Sequence, residues 1–152
     1  MDFFDRTGKI AIGSRLRMLT DAVTSDASQI YELYGIDIKP KWFPLLFVLA
    51  DGKEKTITGI AKEIGHSHPS VSNIVGEMTA RGLVKSLEDQ KDKRRTVIAL
   101  SPHGKRVAAM LTELCKDVEV AVEDISKETR HDLWRAIGEW EDRLAEKSLL
   151  QR

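Results

Sequence analysis

Much that would carry a familiar chemistry is missing from this sequence. There is one cysteine, Cys115, in 152 residues. A disulfide framework is therefore excluded and a reducing compartment fits. No apolar run approaches the ~20 residues that span a bilayer. The opening MDFFDRTGKI has neither the basic nor the apolar region of a secretory signal. Cytoplasmic placement without a membrane partner is the expectation. His66, His68, His103 and His131 show no ligand spacing beyond His66-x-His68, so neither metal nor cofactor is expected. No nucleophile–base pair or phosphate-cradling glycine loop is found, which leaves an enzyme without a site. An excess of one charge is missing too, with 24 basic against 24 acidic residues.

What is present is unevenly spread. Between Arg81 and Arg106 eight basic residues face three acidic ones, whereas Glu113 to Lys147 holds eleven acidic and six basic. One part of a neutral chain suits a polyanion and another does not. The length suits one domain with a real core.

Apolar periodicity orders the chain. Ile12, Leu16, Leu19, Val23, Ile30 and Tyr34 mark an amphipathic helix that stops at Gly35. A second helix, from Pro40 to Gly52, is apolar almost all round and so is expected to be buried, with Pro44 distorting its first turns. In TITGIAKEIG, Ile57 reads as extended and Thr58 as the N-cap of a short helix ending at Gly65. Ser67 then caps a helix whose stripe is Val71, Ile74, Val75 and Met78. Two short helices joined by a few residues including glycine are a helix-turn-helix signature. LVKSLE and RTVIALS read as strands around the polar loop DQKDKR. Ser101-Pro102 opens a long helix with Val107, Leu111, Leu114, Val118, Ala121 and Ile125 in a heptad-like seam. Ser126 is read as the cap of a last helix carrying Leu133, Ile137, Trp140 and Leu144.

The expected fold is mainly α (α+β): a winged helix-turn-helix with long N- and C-terminal dimerisation helices. Its parts are 1–36, contributing to dimerisation; 37–104, with a recognition helix at 67–81 and a wing at 83–100; and 105–152, dimerisation helices. Seams of this kind commonly pair between subunits, so a homodimer with two-fold symmetry is expected.

The helix from Ser67 has an odd polar face. Solvated helix faces usually draw on Lys and Glu. This one carries Ser67, His68, Pro69, Ser70, Ser72, Asn73 and Gly76, mostly small residues and several of them poor helix formers. Small side chains let a backbone approach a groove floor, and Asn73 can pair bidentately with adenine. Ser67 and the first-turn amides suit a phosphate oxygen. In the loop, Lys91, Lys93, Arg94 and Arg95 have the reach and charge for a minor groove. Asp92, two residues before Arg94, is placed to hold its guanidinium in a fixed fork.

With these residues in view, Thr56 to Gly104 resembles the DNA-binding domain of the MarR family of transcriptional regulators. The resemblance rests on TITGIAKEIG, SVSNIVGEMTARGLV, DQKDKRR and IALSPHG. The wing pattern, with Asp89, Asp92 and Arg94 at family spacing, is its most specific part, and the flanking helices match the family's dimerisation region. The resemblance implies that Arg94 enters the minor groove with Asp92 as its partner while the helix from Ser67 lies in the major groove. It also implies a homodimer on a pseudo-palindromic operator of double-stranded DNA and, often, release by a small-molecule effector. This chain departs from the family at three positions. Asn73 stands where many relatives carry Arg, Gly76 where a charge is common, and Arg95 where a small residue is usual.

Two further features bear on function. Cys115 lies mid-helix near the apolar seam and reads as structural rather than redox-active. Tyr31, Tyr34, Trp42, Phe43 and Phe47 are candidates to line an effector crevice, although such aromatics are also ordinary core. The functional expectation is a sequence-specific, homodimeric DNA-binding repressor. The alternative is a winged-helix protein-interaction module that reads no sequence. An interaction module has no need of the Asp92–Arg94 pattern or of a small-residue helix face.

Overall fold

In the computed structural model, residues 2–90, 92 and 95–152 are described. The chain divides into two compact units, 1–112 and 113–152. In the first, α1 (Phe3–Thr7) is capped by Asp2, and a 3-10 turn leads to α2 (Ile12–Leu33). Only Tyr31 of α2 is buried. The stripe of Leu16, Leu19 and Val23 is exposed, as is Tyr34. Gly35 takes a left-handed φ of 67°, which turns the chain so that the Ile36 amide donates to the Tyr31 carbonyl at 2.8 Å. Ile36 and Ile38 are buried while Asp37 and Lys39 between and after them face solvent.

The expected helix from Pro40 to Gly52 is shorter and broken in two. Pro40–Trp42 form a 3-10 turn, and α3 spans Phe43–Leu49 with Pro44 in its first turn. A continuous α-helix would drive the Pro44 ring into the Pro40 carbonyl four residues back, so the chain enters α3 through the tighter turn. Nor is the helix buried all round. Leu45, Leu46 and Leu49 are fully enclosed, but Phe47 is 59% exposed.

α4 (Ile57–Ile64) begins earlier than the sequence suggests. Its cap is Thr56, whose hydroxyl accepts from the Gly59 amide at 3.0 Å, and Ile57 is helical. The reason is tertiary. Lys55 pairs with Ile98 through two backbone hydrogen bonds of 3.0 and 2.7 Å, which keeps the chain extended up to Thr56. α5 spans His68–Ala80. β1 (Val84–Glu88) and β2 (Thr96–Leu100) pair antiparallel, with Val84 opposite Leu100 and Glu88 opposite Thr96. Lys55 covers the far edge of β2, so this strand is shielded on both sides.

The core of this unit joins Leu45, Leu46 and Leu49 of α3, Ile60 of α4, Val71 and Met78 of α5, and Leu83 and Ile98 of the hairpin. α6 (Pro102–Glu128) starts here. Its first turn is fixed by Ser101, whose hydroxyl donates to the Gly82 carbonyl at 2.5 Å and accepts from the Gly104 amide at 2.9 Å.

The second unit holds the rest of α6 and α7 (Leu133–Glu146). Ser126 does not cap α7. Its hydroxyl donates back to the Val122 carbonyl at 2.8 Å, inside α6, and Asp132 is the cap, accepting from the Arg135 amide at 2.9 Å. Ile125, Leu133, Trp134, Trp140 and Leu144 are all exposed. Among the described residues, no helix is long and apolar enough to cross a membrane.

Candidate nucleic-acid interface

α4 and α5 are set against each other by a tight link. Gly65 caps α4 with a left-handed φ of 69°, and the His66 amide reaches back to the Ala61 carbonyl at 3.0 Å. The chain re-enters a helix at once, because the Ser67 hydroxyl accepts from the Ser70 amide at 3.3 Å and Pro69 lies in the permissive first turn. Val71, Ile74, Val75 and Met78 then bury one side of α5. The opposite side is bare. Ser67, His68, Pro69, Ser70, Ser72, Asn73 and Gly76 are all exposed, and a Cβ added at Gly76 would meet nothing within 4 Å.

Across the Gly82 turn lies the hairpin. Its loop closes through the Asp89 amide on the Arg95 carbonyl and the Arg95 amide on the Asp92 carbonyl, both 2.9 Å. The Arg95 side chain is exposed and Asp92 is half-buried. Lys91, Lys93 and Arg94, three of the wing residues singled out by sequence, lie outside the described residues. Lys62 on α4 and Lys85 on β1 add exposed positive charge.

The five aromatics differ in burial: Tyr31 and Trp42 are buried, Tyr34 and Phe47 exposed, and Phe43 lies between. A cleft of about 390 Å³ is lined by Thr24 of α2, Pro40, Lys41, Phe43 and Pro44, His66, and Ser70, Asn73 and Ile74 of α5. Phe43 alone of the five lines it. Tyr31 and Trp42 are core, while Phe47 packs on Phe43 with ring centroids 5.7 Å apart. Ser70 and Asn73 thus belong both to the exposed face and to the cleft wall.

Sequence reasoning passed over Glu77. This half-buried carboxylate accepts from Lys41 Nζ at 2.5 Å, Trp42 Nε1 at 3.0 Å and Lys39 Nζ at 3.2 Å. The Lys41 ammonium first, then the Trp42 indole N–H and Lys39, hold its pKa down at about 2 against desolvation. The single carboxylate of α5, on a helix with no Lys or Arg of its own between His68 and Ala80, was the available signal, because it demands a counter-charge from elsewhere. Cys115 behaves in the opposite way. Burial and then the Glu119 charge push its thiol upward, away from the reactive thiolate. Among the described residues, no three His, Cys, Asp or Glu side chains are gathered as a metal set.

Comparison with known proteins adds three findings. Residues 36–95 match the family model described as "MarR family". A search of curated proteins finds no match. Among solved structures the chain is similar to the S. aureus MepR–DNA complex, with 24% identity, a TM-score of 0.55, and 77% of this chain and 94% of that one covered. It is also similar to the transcriptional repressor CouR bound to a 23-mer DNA duplex, at 20% identity and TM-score 0.65, covering 91% and 96%. PcaV, a regulator from Streptomyces coelicolor solved with its natural ligand, aligns at 17% identity and TM-score 0.66, covering 90% and 92%. At these identities the shared property is the fold: a winged helix-turn-helix between long terminal helices.

Proposed function

From the premise that this chain belongs to the MarR family through residues 36–95, we propose that it is a homodimeric repressor. It reads a pseudo-palindromic operator in double-stranded DNA. The observation that carries this reading is the exposed, small-residue face of α5 opposite a fully buried apolar stripe. Such a helix presents its backbone closely to whatever it meets, as major-groove reading requires. Two structural relatives of like fold were solved on DNA, which supports the reading.

In this mechanism α5 enters the major groove, with Asn73 and Ser72 at base edges and Ser67 near a phosphate. The wing reaches the minor groove through Arg94, steadied by Asp92, with Lys91, Lys93 and Arg95 beside it. Residues 1–36 and 105–152 pair two copies, and the exposed apolar residues of α2, α6 and α7 support that pairing. The cleft beside Asn73 is of a size that small ligands use. An effector held there would alter the presentation of α5 and shift the population away from the DNA-bound form.

The test is selection of bound sequences from a randomised duplex pool, followed by affinity across a salt series. A two-fold-related motif and a steep fall of affinity with salt are expected. A flat salt response with no enriched motif would leave only an interaction module.

A further inference from the structure

We propose that Glu77 is a positioning residue: it sets where α5 sits along its axis, through a charge pattern shared with residues 37–42. The proposal rests on the reading of α5 as the base-facing helix.

The argument starts from what the core cannot do. The buried stripe of α5 repeats every three or four residues, and hydrophobic contact is non-directional. The tight links at either end and close packing restrict a slide, but a slip by one helical turn would still set apolar against apolar, and only directional contacts penalise it by sign. Glu77 and Arg81, one turn apart, supply them. Glu77 is held by Lys39, Lys41 and Trp42, and Arg81 pairs with Asp37. The helix reads minus then plus, and the segment it meets reads minus at 37 and plus at 39 and 41. Sliding α5 one way sets Arg81 on the two lysines, and sliding it the other way sets Glu77 on Asp37. Both slips oppose like charges.

The two contacts are not equal. Arg81 and Asp37 are 52% and 87% exposed, and exposed pairs contribute little. Glu77 is more enclosed, and one of its donors is the indole of Trp42, a side chain 2% exposed and fixed in the core. Glu77 is therefore the stronger determinant. Its charge also faces two lysines, so it presents no bare negative charge to a phosphate backbone.

The experiment compares Glu77→Gln with the wild-type chain on the selected duplex and on an unrelated duplex of equal length. Affinity for the selected duplex should fall about five- to tenfold, as for loss of one coupled contact. Affinity for the unrelated duplex and the salt slope should stay unchanged. Lys41→Gln added to Glu77→Gln should lower the ratio of the two affinities no further. Unchanged or tighter binding to the selected duplex, or an equal loss on both duplexes, would overturn the proposal. Should Glu77→Gln fail to fold, Lys41→Gln alone is read by the same ratio. If the wild-type chain selects no duplex, the DNA-binding reading fails by itself. Amide exchange then decides, with faster exchange across 68–80 in Glu77→Gln expected and identical exchange overturning the positioning role.

Discussion

Two glycines in helices answer opposite demands. A Cβ at Gly104 would run into the Leu83 carbonyl oxygen and lie 2.9 Å from its carbon. Backbone there cannot yield, because Leu83 is buried and its carbonyl also accepts from the Ser101 amide. Gly104→Ala should therefore cost more than about 2 kcal/mol, as overpacking against a fixed neighbour does, read as a fall in denaturant midpoint. At Gly76 the space is open, and alanine there should stabilise the helix by about 0.5–1 kcal/mol. If the face is a reading surface, the same Gly76→Ala change should weaken duplex binding by holding the helix off the groove floor. Greater stability with unchanged affinity would argue against close approach at that point. Cys115 gives a third residue-level expectation. With its thiol held above the ordinary range by burial and Glu119, alkylation at pH 7.5 should be slower than that of an unfolded control. Equal rates would show that the site is more open than this.

Elements were readable from sequence where local chemistry decides them, and not where distant partners do. The α5 cap at Ser67, its stripe and its bare face follow from residues within one helix. The start of α4 did not, because two threonines two residues apart offer similar caps and the choice lies with Lys55 pairing on Ile98, 43 residues further on. Ser126 marks a different limit, a local ambiguity. Its hydroxyl can cap a helix or bond one turn back within it, and α6 takes the second option. The Glu77 cluster joins residues 35 to 38 positions apart, beyond any periodicity. That cluster makes an acid-stability prediction for α5 and the segment 39–42. Glu77 is depressed to about 2 from 4.5, so its stabilisation is full above about pH 4.5 and is lost as pH falls through 4.5 toward 2. Between pH 5 and pH 2 the wild-type Tm should therefore fall more steeply than that of Glu77→Gln. Parallel curves would contradict the linkage.

On the proposed function, a neutral chain has to meet a polyanion. Charge segregation would allow this: the 81–106 segment is basic and 113–147 acidic, so the C-terminal segment is poorly suited to DNA and, in the proposed dimer, serves pairing instead. Each unit exposes large apolar side chains on its terminal helices, Val23 in the first and Ile125, Trp134 and Trp140 in the second, all more than half exposed, and the proposed pairing would cover them. A homodimer paired through these helices would present two copies of α5 with a fixed separation, about 34 Å for successive major grooves. Geometry rather than affinity per subunit then sets the operator. Inserting about five base pairs between the half-sites turns one half-site to the opposite side of the duplex, whereas about ten restores the facing. Affinity should collapse with the first insertion to that of a single half-site. With the second it should recover only as far as the helices can stretch. Trp140→Asp, by placing a charge in the proposed pairing seam, should remove the dependence on spacing altogether and sediment as a monomer. A variant that stays dimeric and still senses spacing would put the pairing surface elsewhere.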